Sequence, residues 1–243
     1  MARIFITGSA DGLGRYAAET LLHQGHQVVV HARSDARLAA AESLIDHGAR
    51  AVVGDLADPD QTRAVAAGVN RLGPLDVVIH NAGVYTGRSV LPVNVVAPYL
   101  LTALIGRPER LIYLSSGMHV GGQPDVSGMD WSGERVTGSY SDSKLFVTTL
   151  SLVVARLWPE VYSNAVDPGW VPTKMGGPGA PDDLREGHAT QEWLATSNEP
   201  EARSSGGYWF HRRLRPPHPA VHDRQFQESL IAALVRHTGV SPA

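Results

Sequence analysis

The 243-residue chain contains no cysteine. Disulfides and thiolate metal sites are therefore excluded, no metal site is expected, and a reducing compartment fits. No apolar run approaches the roughly 18 residues a membrane span needs. Neither sign of charge dominates, since 21 Lys and Arg stand against 24 Asp and Glu for a net charge of −3. That balance gives no support for a nucleic-acid or membrane-surface partner. Repeats and low-complexity tracts are absent. The first apolar strand begins at Arg3, which leaves no room for a signal peptide, so a cytoplasmic location is expected. Lysine is nearly missing as well: Lys144 and Lys174 are the only two, and arginine supplies the remaining basic residues.

What is present is an alternation of short apolar runs and helical patterns. Ile4–Ile6 leads to a helix near Leu13–His23, Val28–Val30 to one near Ala36–His47, and Ala51–Val53 to Pro59–Arg71. Val77–Ile79 leads to a helix near Val93–Leu104, and Leu111–Leu114 is a fifth strand. A long helix near Tyr140–Leu157 and a strand around Val161–Val166 follow. Continuous apolar strands separated by helices predict a doubly wound parallel sheet with helices on both faces, an α/β fold of one domain. Gly206–Phe210 reads as one more strand, Gln191–Ala195 as helical, and Arg224–Arg236 as a closing helix. Residues 170–219, rich in Gly, Pro, Ser and Trp, read as a substrate loop or lid.

The first strand gives way to the first helix through "TGSADGLG". A helix N-terminus offers unpaired N–H groups and partial positive charge, and a pyrophosphate fits there if no side chain blocks it. Gly8 permits the turn, Gly12 a close phosphate approach and Gly14 close helix packing; the competing reading is an ordinary turn. Asp55 ends the third strand, where its carboxylate either accepts an adenine amino group or caps a helix. Asp58 before Pro59 fills the capping job more naturally. Asn81-Ala82-Gly83 closes the fourth strand as a flat, small-residue loop or a plain turn.

"YSDSK" places Tyr140 and Lys144 four residues apart, on one helix face. A nearby ammonium favours phenolate and lowers a tyrosine's pKa, which makes the pair an acid–base device. In a chain that uses Arg almost everywhere else, Lys144 looks selected for its compact ammonium. Ser115-Ser116 ends the fifth strand at the same sheet edge. Ser116 either binds a substrate oxygen or caps a turn. Asn94 lies inside an apolar helical run, and either holds a water that connects to Lys144 or satisfies a kink near Pro98. At the second strand's end, "VVVHARSD" carries His31, Arg33 and Ser34 where a carboxylate would select NAD. Arg33 there favours a 2′-phosphate, so NADP(H) is preferred and NAD(H) remains possible. Asp11 and Asp35 argue the other way, with Asp35 placed as a helix cap.

Together, Thr7-Gly8-x-x-x-Gly12-x-Gly14, Asp55, Asn81-Ala82-Gly83, Asn94, Ser116, Tyr140-x-x-x-Lys144 and Pro168-Gly169 resemble the short-chain dehydrogenase/reductase family. The resemblance covers essentially the whole chain and implies a Rossmann-type, NAD(P)-dependent oxidoreductase acting on a small carbonyl or alcohol. By that resemblance Tyr140 is the general acid or base, and Lys144 lowers its pKa and binds the nicotinamide ribose. Ser116 polarises the carbonyl, Asn94 holds a relay water and Thr173 binds the carboxamide. Ser9, Asp11, Leu13, Leu56 and Val171 join the cofactor-binding set. The long interval from Ser116 to Tyr140 resembles the retinol-dehydrogenase-like branch. Only thirteen positions separate Asn81 from Asn94; this shortened connection predicts a monomer or a homodimer formed through an unusual surface. A non-catalytic nucleotide-binding regulator and a sugar-nucleotide epimerase or dehydratase are the competing functions. Trp131, Trp170, Met175, Tyr208 and Trp209 either roof a pocket for an apolar or aromatic carbonyl or pack the core. His119 either touches substrate or is a surface residue.

Overall fold

A computed structural model describes residues 1–242. Eight strands form one sheet in the order β3-β2-β1-β4-β5-β6-β7-β8. They are β1 (Arg3–Ile6), β2 (Gln27–Ala32), β3 (Arg50–Val53), β4 (Val77–His80), β5 (Arg110–Leu114), β6 (Tyr162–Asp167), β7 (Tyr208–Phe210) and β8 (Arg213–Leu214). Every pairing is parallel except β7 with β8. That last, two-residue strand gives no apolar signal: Arg213 and Leu214 are both exposed. Strand order reverses between β1 and β4, and in such sheets the crevice at the carboxyl ends beside the reversal binds ligands.

Alternate residues of each strand feed opposite faces. Ile4, Ile6, Val28, Val30 and Val166 face a core shared with α1 (Gly12–His23) and α7 (Leu184–Thr196). Phe5, Val29, Val78 and Leu111 face the other core. It is filled by α4 (Pro59–Arg71), α5 (Ala97–Leu104), α6 (Tyr140–Leu157) and α8 (Arg224–Thr238). Trp131 belongs to this core, packed on Phe146, and Trp209 packs edge-on against Trp193 in the other. Neither lines the crevice at the carboxyl ends of the strands.

Two expected elements change. The helix expected over 36–47 is broken into α2 (Asp35–Leu38), a 3-10 turn (Ala39–Ala41) and α3 (Glu42–Asp46). Arg15 of α1 donates to the Ala40 carbonyl at 2.6 Å and to the Ser43 hydroxyl at 3.1 Å, drawing that carbonyl out of a continuous ladder. Asp35 is the first residue of α2, not its cap; Ser34 holds the N-cap position and makes no side-chain cap bond. The helix expected from Val93 instead begins at Val90 and carries a π turn over Pro92–Val96 before α5. Pro98 has no N–H to offer the carbonyl of Asn94 four residues back, so a regular ladder cannot continue there.

Within 170–219, α7 packs against α1 and β7 lies in the sheet. The part that borders the ligand crevice is the loop carrying Thr173, Lys174 and Met175. No helix among the described residues is long and apolar enough to cross a membrane.

Candidate active site

A cleft of about 490 Å³ opens at the carboxyl edge of the sheet. The loop from Gly8 to Leu13 forms one wall, Arg33, Asp55 and Leu56 a second, and Asn81-Ala82-Gly83 the floor. Tyr140 and Lys144 close one end, with Pro168 and Thr173 above.

The glycines act as their positions require. Gly8 has φ +64°, and a Cβ there would lie 3.0 Å from the Ala82 Cα. Gly12 has φ +55° and opens α1; an added Cβ would meet only the Thr173 methyl, at 4.0 Å. Both angles fall where side chains are disfavoured. A Cβ on Gly14 would sit 2.4 Å from the Asn81 Nδ2 and 2.8 Å from the Gly8 carbonyl oxygen, so helix and loop touch only because it is absent. Thr7 ties the loop to the fourth strand, its hydroxyl accepting the Asn81 and Ala82 N–H groups at 2.9 Å. Asn81 donates to the Thr7 carbonyl at 2.8 Å. His31 braces the loop from behind: its Nδ1 accepts the Gly8 N–H at 3.0 Å, and its Nε2–H donates to the Gly54 carbonyl at 2.8 Å. Burial holds the His31 pKa below the usual imidazole range, so the ring stays neutral as those bonds demand.

Several expected contacts are not on the cleft wall. Ser9 is fully buried and turned away, donating to the Ile6 carbonyl and accepting the His31 N–H, both at 2.8 Å. Gly14 lies behind the loop, and Val171 is buried against Gly187. Gly169, with φ +81°, packs beside the Asp182 carboxylate. These four residues shape the cleft without lining it. Arg37 and Lys174, both unexpected, do line it. Both pair with Asp11: Arg37 at 3.0 Å, and Lys174 through a very short contact that, ahead of other causes, holds the Asp11 carboxyl below the usual range. Arg33 is exposed on the cleft rim and makes no hydrogen bond or ion pair with the described residues.

The acid–base pair stands at the start of α6. Ser139 caps this helix by accepting the Asp142 N–H at 3.0 Å, while the Asp142 carboxylate accepts the Ser139 N–H at 2.9 Å. That box fixes Tyr140 in the first turn and Lys144 one turn deeper. The Ser116 hydroxyl stands beside the Tyr140 phenol without a hydrogen bond of sound geometry, and it accepts the Met118 N–H at 3.2 Å. It is both cap and site residue. Lys144 is buried, with its ammonium 5.4 Å from the Tyr140 ring centre and donating to the Leu114 carbonyl at 2.6 Å. Burial lowers the Lys144 pKa to about 8. The same burial pushes Tyr140 up to about 12, opposite to the lowering expected from a nearby lysine. Ser116 favours the phenolate, but desolvation outweighs it, and the Asp167 charge adds to the rise.

Asn94 is buried beside this pair. Its Oδ1 accepts the Val84 N–H, and its Nδ2 donates to the Val84 carbonyl and the Ser143 hydroxyl, all at 2.9 Å. The side chain thus clamps the loop after β4 to α6. His119 is 1 % exposed and not a surface residue. Its Nδ1–H donates to the Ser116 carbonyl at 2.8 Å, and its Nε2 accepts the His218 N–H at 2.9 Å.

A glycine-lined helix N-terminus and a Tyr–Lys–Ser group on one parallel-sheet edge define a nucleotide-dependent oxidoreductase with a single Rossmann-type domain. Comparison with known proteins is more specific. The short chain dehydrogenase family matches residues 2–105. The uncharacterized oxidoreductase AN7799 of Emericella nidulans is 36% identical over 99% of this chain and 98% of its own. The short-chain dehydrogenase chyC of Penicillium rubens is 34% identical over the same shares, 99% and 98%. Among solved structures, a blue fluorescent protein from a metagenomic library, in complex with NADPH, has the same fold, with a TM-score of 0.69 at 22% identity over 86% of this chain and 95% of that one. The chain belongs to the short-chain dehydrogenase family of NAD(P)-dependent oxidoreductases.

Proposed function

We propose that the protein transfers a hydride between NADP(H) and a small carbonyl or alcohol with an apolar or aromatic body. The observation that carries the reading is that Tyr140 and Lys144 line the same cleft as the open glycine loop, with Ser116 at the phenol. The cleft fits the cofactor: positive-φ glycines leave an unobstructed cradle at the N-terminus of α1, and the Leu56 and Ala82 side chains offer small apolar walls.

When bound, the nicotinamide supplies or accepts the hydride. The phenol of Tyr140 gives its proton to the carbonyl oxygen in reduction and takes one back in oxidation. The phenol is protonated at neutral pH, as proton donation in the reductive direction requires. Ser116 donates to the same oxygen as charge grows on it. Lys144 would offer its ammonium to the nicotinamide ribose, and Thr173, whose methyl faces Gly12, would hold the carboxamide. Asn94 holds the loop after β4 against α6 through its side chain, and the notch beside it is the place for a relay water. Exposed Met175, on the cleft wall, favours an apolar substrate body.

The test is Tyr140→Phe, which removes one hydroxyl. NADPH consumption, measured at the nicotinamide absorbance over a panel of aldehydes and ketones, should fall at least about a hundred-fold. NADPH binding, followed by fluorescence, should persist. A variant that turns over at the wild-type rate would remove Tyr140 from the chemistry.

A further inference from the structure

Residues 170–182, between β6 and α7, close on themselves. The Trp170 N–H donates to the Asp182 carboxylate at 2.6 Å, and the Asp182 N–H donates back to the Trp170 carbonyl at 3.1 Å. With its two ends tied, the segment is an Ω-loop. Its interior is also bonded to itself. The Trp170 indole N–H donates to the Gly176 carbonyl at 2.8 Å, and the Gly177 N–H to the Thr173 carbonyl at 2.8 Å. Val171 is buried at the base, but no residue from 172 to 181 is. A segment built this way keeps its shape through its own bonds and rests lightly on the rest of the molecule.

Its tip meets the opposite wall of the cleft. The Thr173 methyl lies 4.0 Å from where a Cβ on Gly12 would stand, so the loop rests against the turn that opens α1. Next to that contact the Lys174 ammonium donates to Asp11 Oδ2. Among the described residues, this is the one hydrogen bond that joins 171–181 to anything outside the loop. Asp11 is fixed on its own side. Its Oδ1 caps α1 by accepting the Gly12 N–H at 2.9 Å, and its Oδ2 also accepts a bond from Arg37 at 3.0 Å. A braced carboxylate on one wall therefore faces a long, flexible lysine on the other, and both line the cleft. The Lys174 side chain is 78% exposed and that of Asp11 38%, so water competes for the pair and it parts at small cost. That suits a fastening that opens and re-forms.

We propose that Lys174 is a latch. Closed on Asp11, it fastens the loop of 170–182 across the cleft and retains the bound NADP(H), and the nucleotide leaves when the pair parts. This rests on the cofactor reading above and deepens it. Lys174 is then a positioning residue that acts through the loop carrying Thr173, and the 2′-phosphate is left to Arg33.

Stopped-flow displacement of bound NADPH, followed by its fluorescence, measures the release rate. In Lys174→Gln and in Asp11→Asn, release should be about two- to five-fold faster than in wild type. Asparagine at 11 keeps the cap of α1. The double variant should be no faster than either single one, since both remove the same contact. Lys174→Arg keeps a cation and should stay close to the wild-type rate. Added salt should speed release more in wild type than in Lys174→Gln. NADH should show the same pattern, because the latch does not touch the 2′-phosphate. A Tm near the wild-type value shows that each variant is folded. Release from Lys174→Gln at the wild-type rate would overturn the proposal. So would faster release from Lys174→Gln with slower release from Asp11→Asn, the pattern of a lysine that holds the nucleotide's phosphates directly. If wild type binds neither nucleotide, the cofactor reading itself falls, and the latch with it.

Discussion

Arg33 and Asp11 illustrate how much a single charge depends on its partners. In the sequence the two pull cofactor choice in opposite directions. In the fold, Asp11 is engaged by Arg37 and Lys174, so its charge is offset twice over, while Arg33 has no partner. A 2′-phosphate at the end of β2 would meet a free guanidinium and a neutralised carboxylate. Charge-assisted, bidentate pairing of Arg with phosphate is worth roughly 1.5–3 kcal/mol, or about a ten- to hundred-fold preference. Titration of NADPH and NADH should therefore show tighter NADPH binding in wild type, with the gap largely closed in Arg33→Ala. Equal affinities in wild type would count against Arg33 as the selector.

At the scale of elements, the site depends on how closely α1, the glycine loop and the fourth strand approach. Gly14 is the test of that closeness. Alanine is a better helix former than glycine, and in a free helix the change would stabilise by about 1 kcal/mol. Here the new methyl would fall 2.4 Å from the Asn81 amide and 2.8 Å from the Gly8 carbonyl oxygen. Moving Asn81 breaks its bonds to the Thr7 and Gly8 carbonyls. The overpacking cost of about 1–3 kcal/mol should win. Gly14→Ala should lower Tm by several degrees and weaken NADPH binding together, because the same loop holds both. A variant with wild-type Tm by calorimetry would show that the helix shifts freely.

Across the whole molecule, buried neutral histidines set the response to acid. His31 sits in the sheet behind the glycine loop, and His80 under it, stacked on Tyr113 and bonded to Thr102 at 3.1 Å. Burial lowers the pKa of both, that of His80 to about 3. The unfolded chain binds protons on these rings near pH 6.5 while the folded chain does not. Their contribution is therefore whole above pH 6.5 and is lost progressively as pH falls below it. For His80 alone the loss at pH 5 is about 2 kcal/mol. Carboxylates with lowered pKa, such as Asp11 and Asp58, lose their contribution only as pH falls below about 4, so the histidines act alone above that. Tm should hold between pH 7 and 8 and drop by several degrees at pH 5, with a shallower slope in His80→Asn. A flat Tm from pH 7.5 to 5 would contradict this.

The sequence by itself determined the framework and most of the cofactor cradle. Period and apolar runs mark strands whose alternate residues fill two cores, and the glycines at 8 and 12 state a local backbone need through their positive φ, whereas Gly14 is required by its contact with Asn81. Tyr140 and Lys144 were legible because one helical turn fixes their separation. Other residues could be read only once the chain had folded. The scarcity of lysine that singles out Lys144 applies equally to Lys174, yet its partner Asp11 lies 163 residues away. The break near Ala40 depends on Arg15 reaching across from another helix. Ser9 and His31 exchange bonds between two strands, so neither side chain's direction follows from its own neighbours in sequence. Asp167 carries no local signal at all, being one carboxylate before a Pro-Gly pair. Its place beside Gly117 and Tyr208 arises because parallel strands line up along one sheet, and that alignment is decided by sheet order.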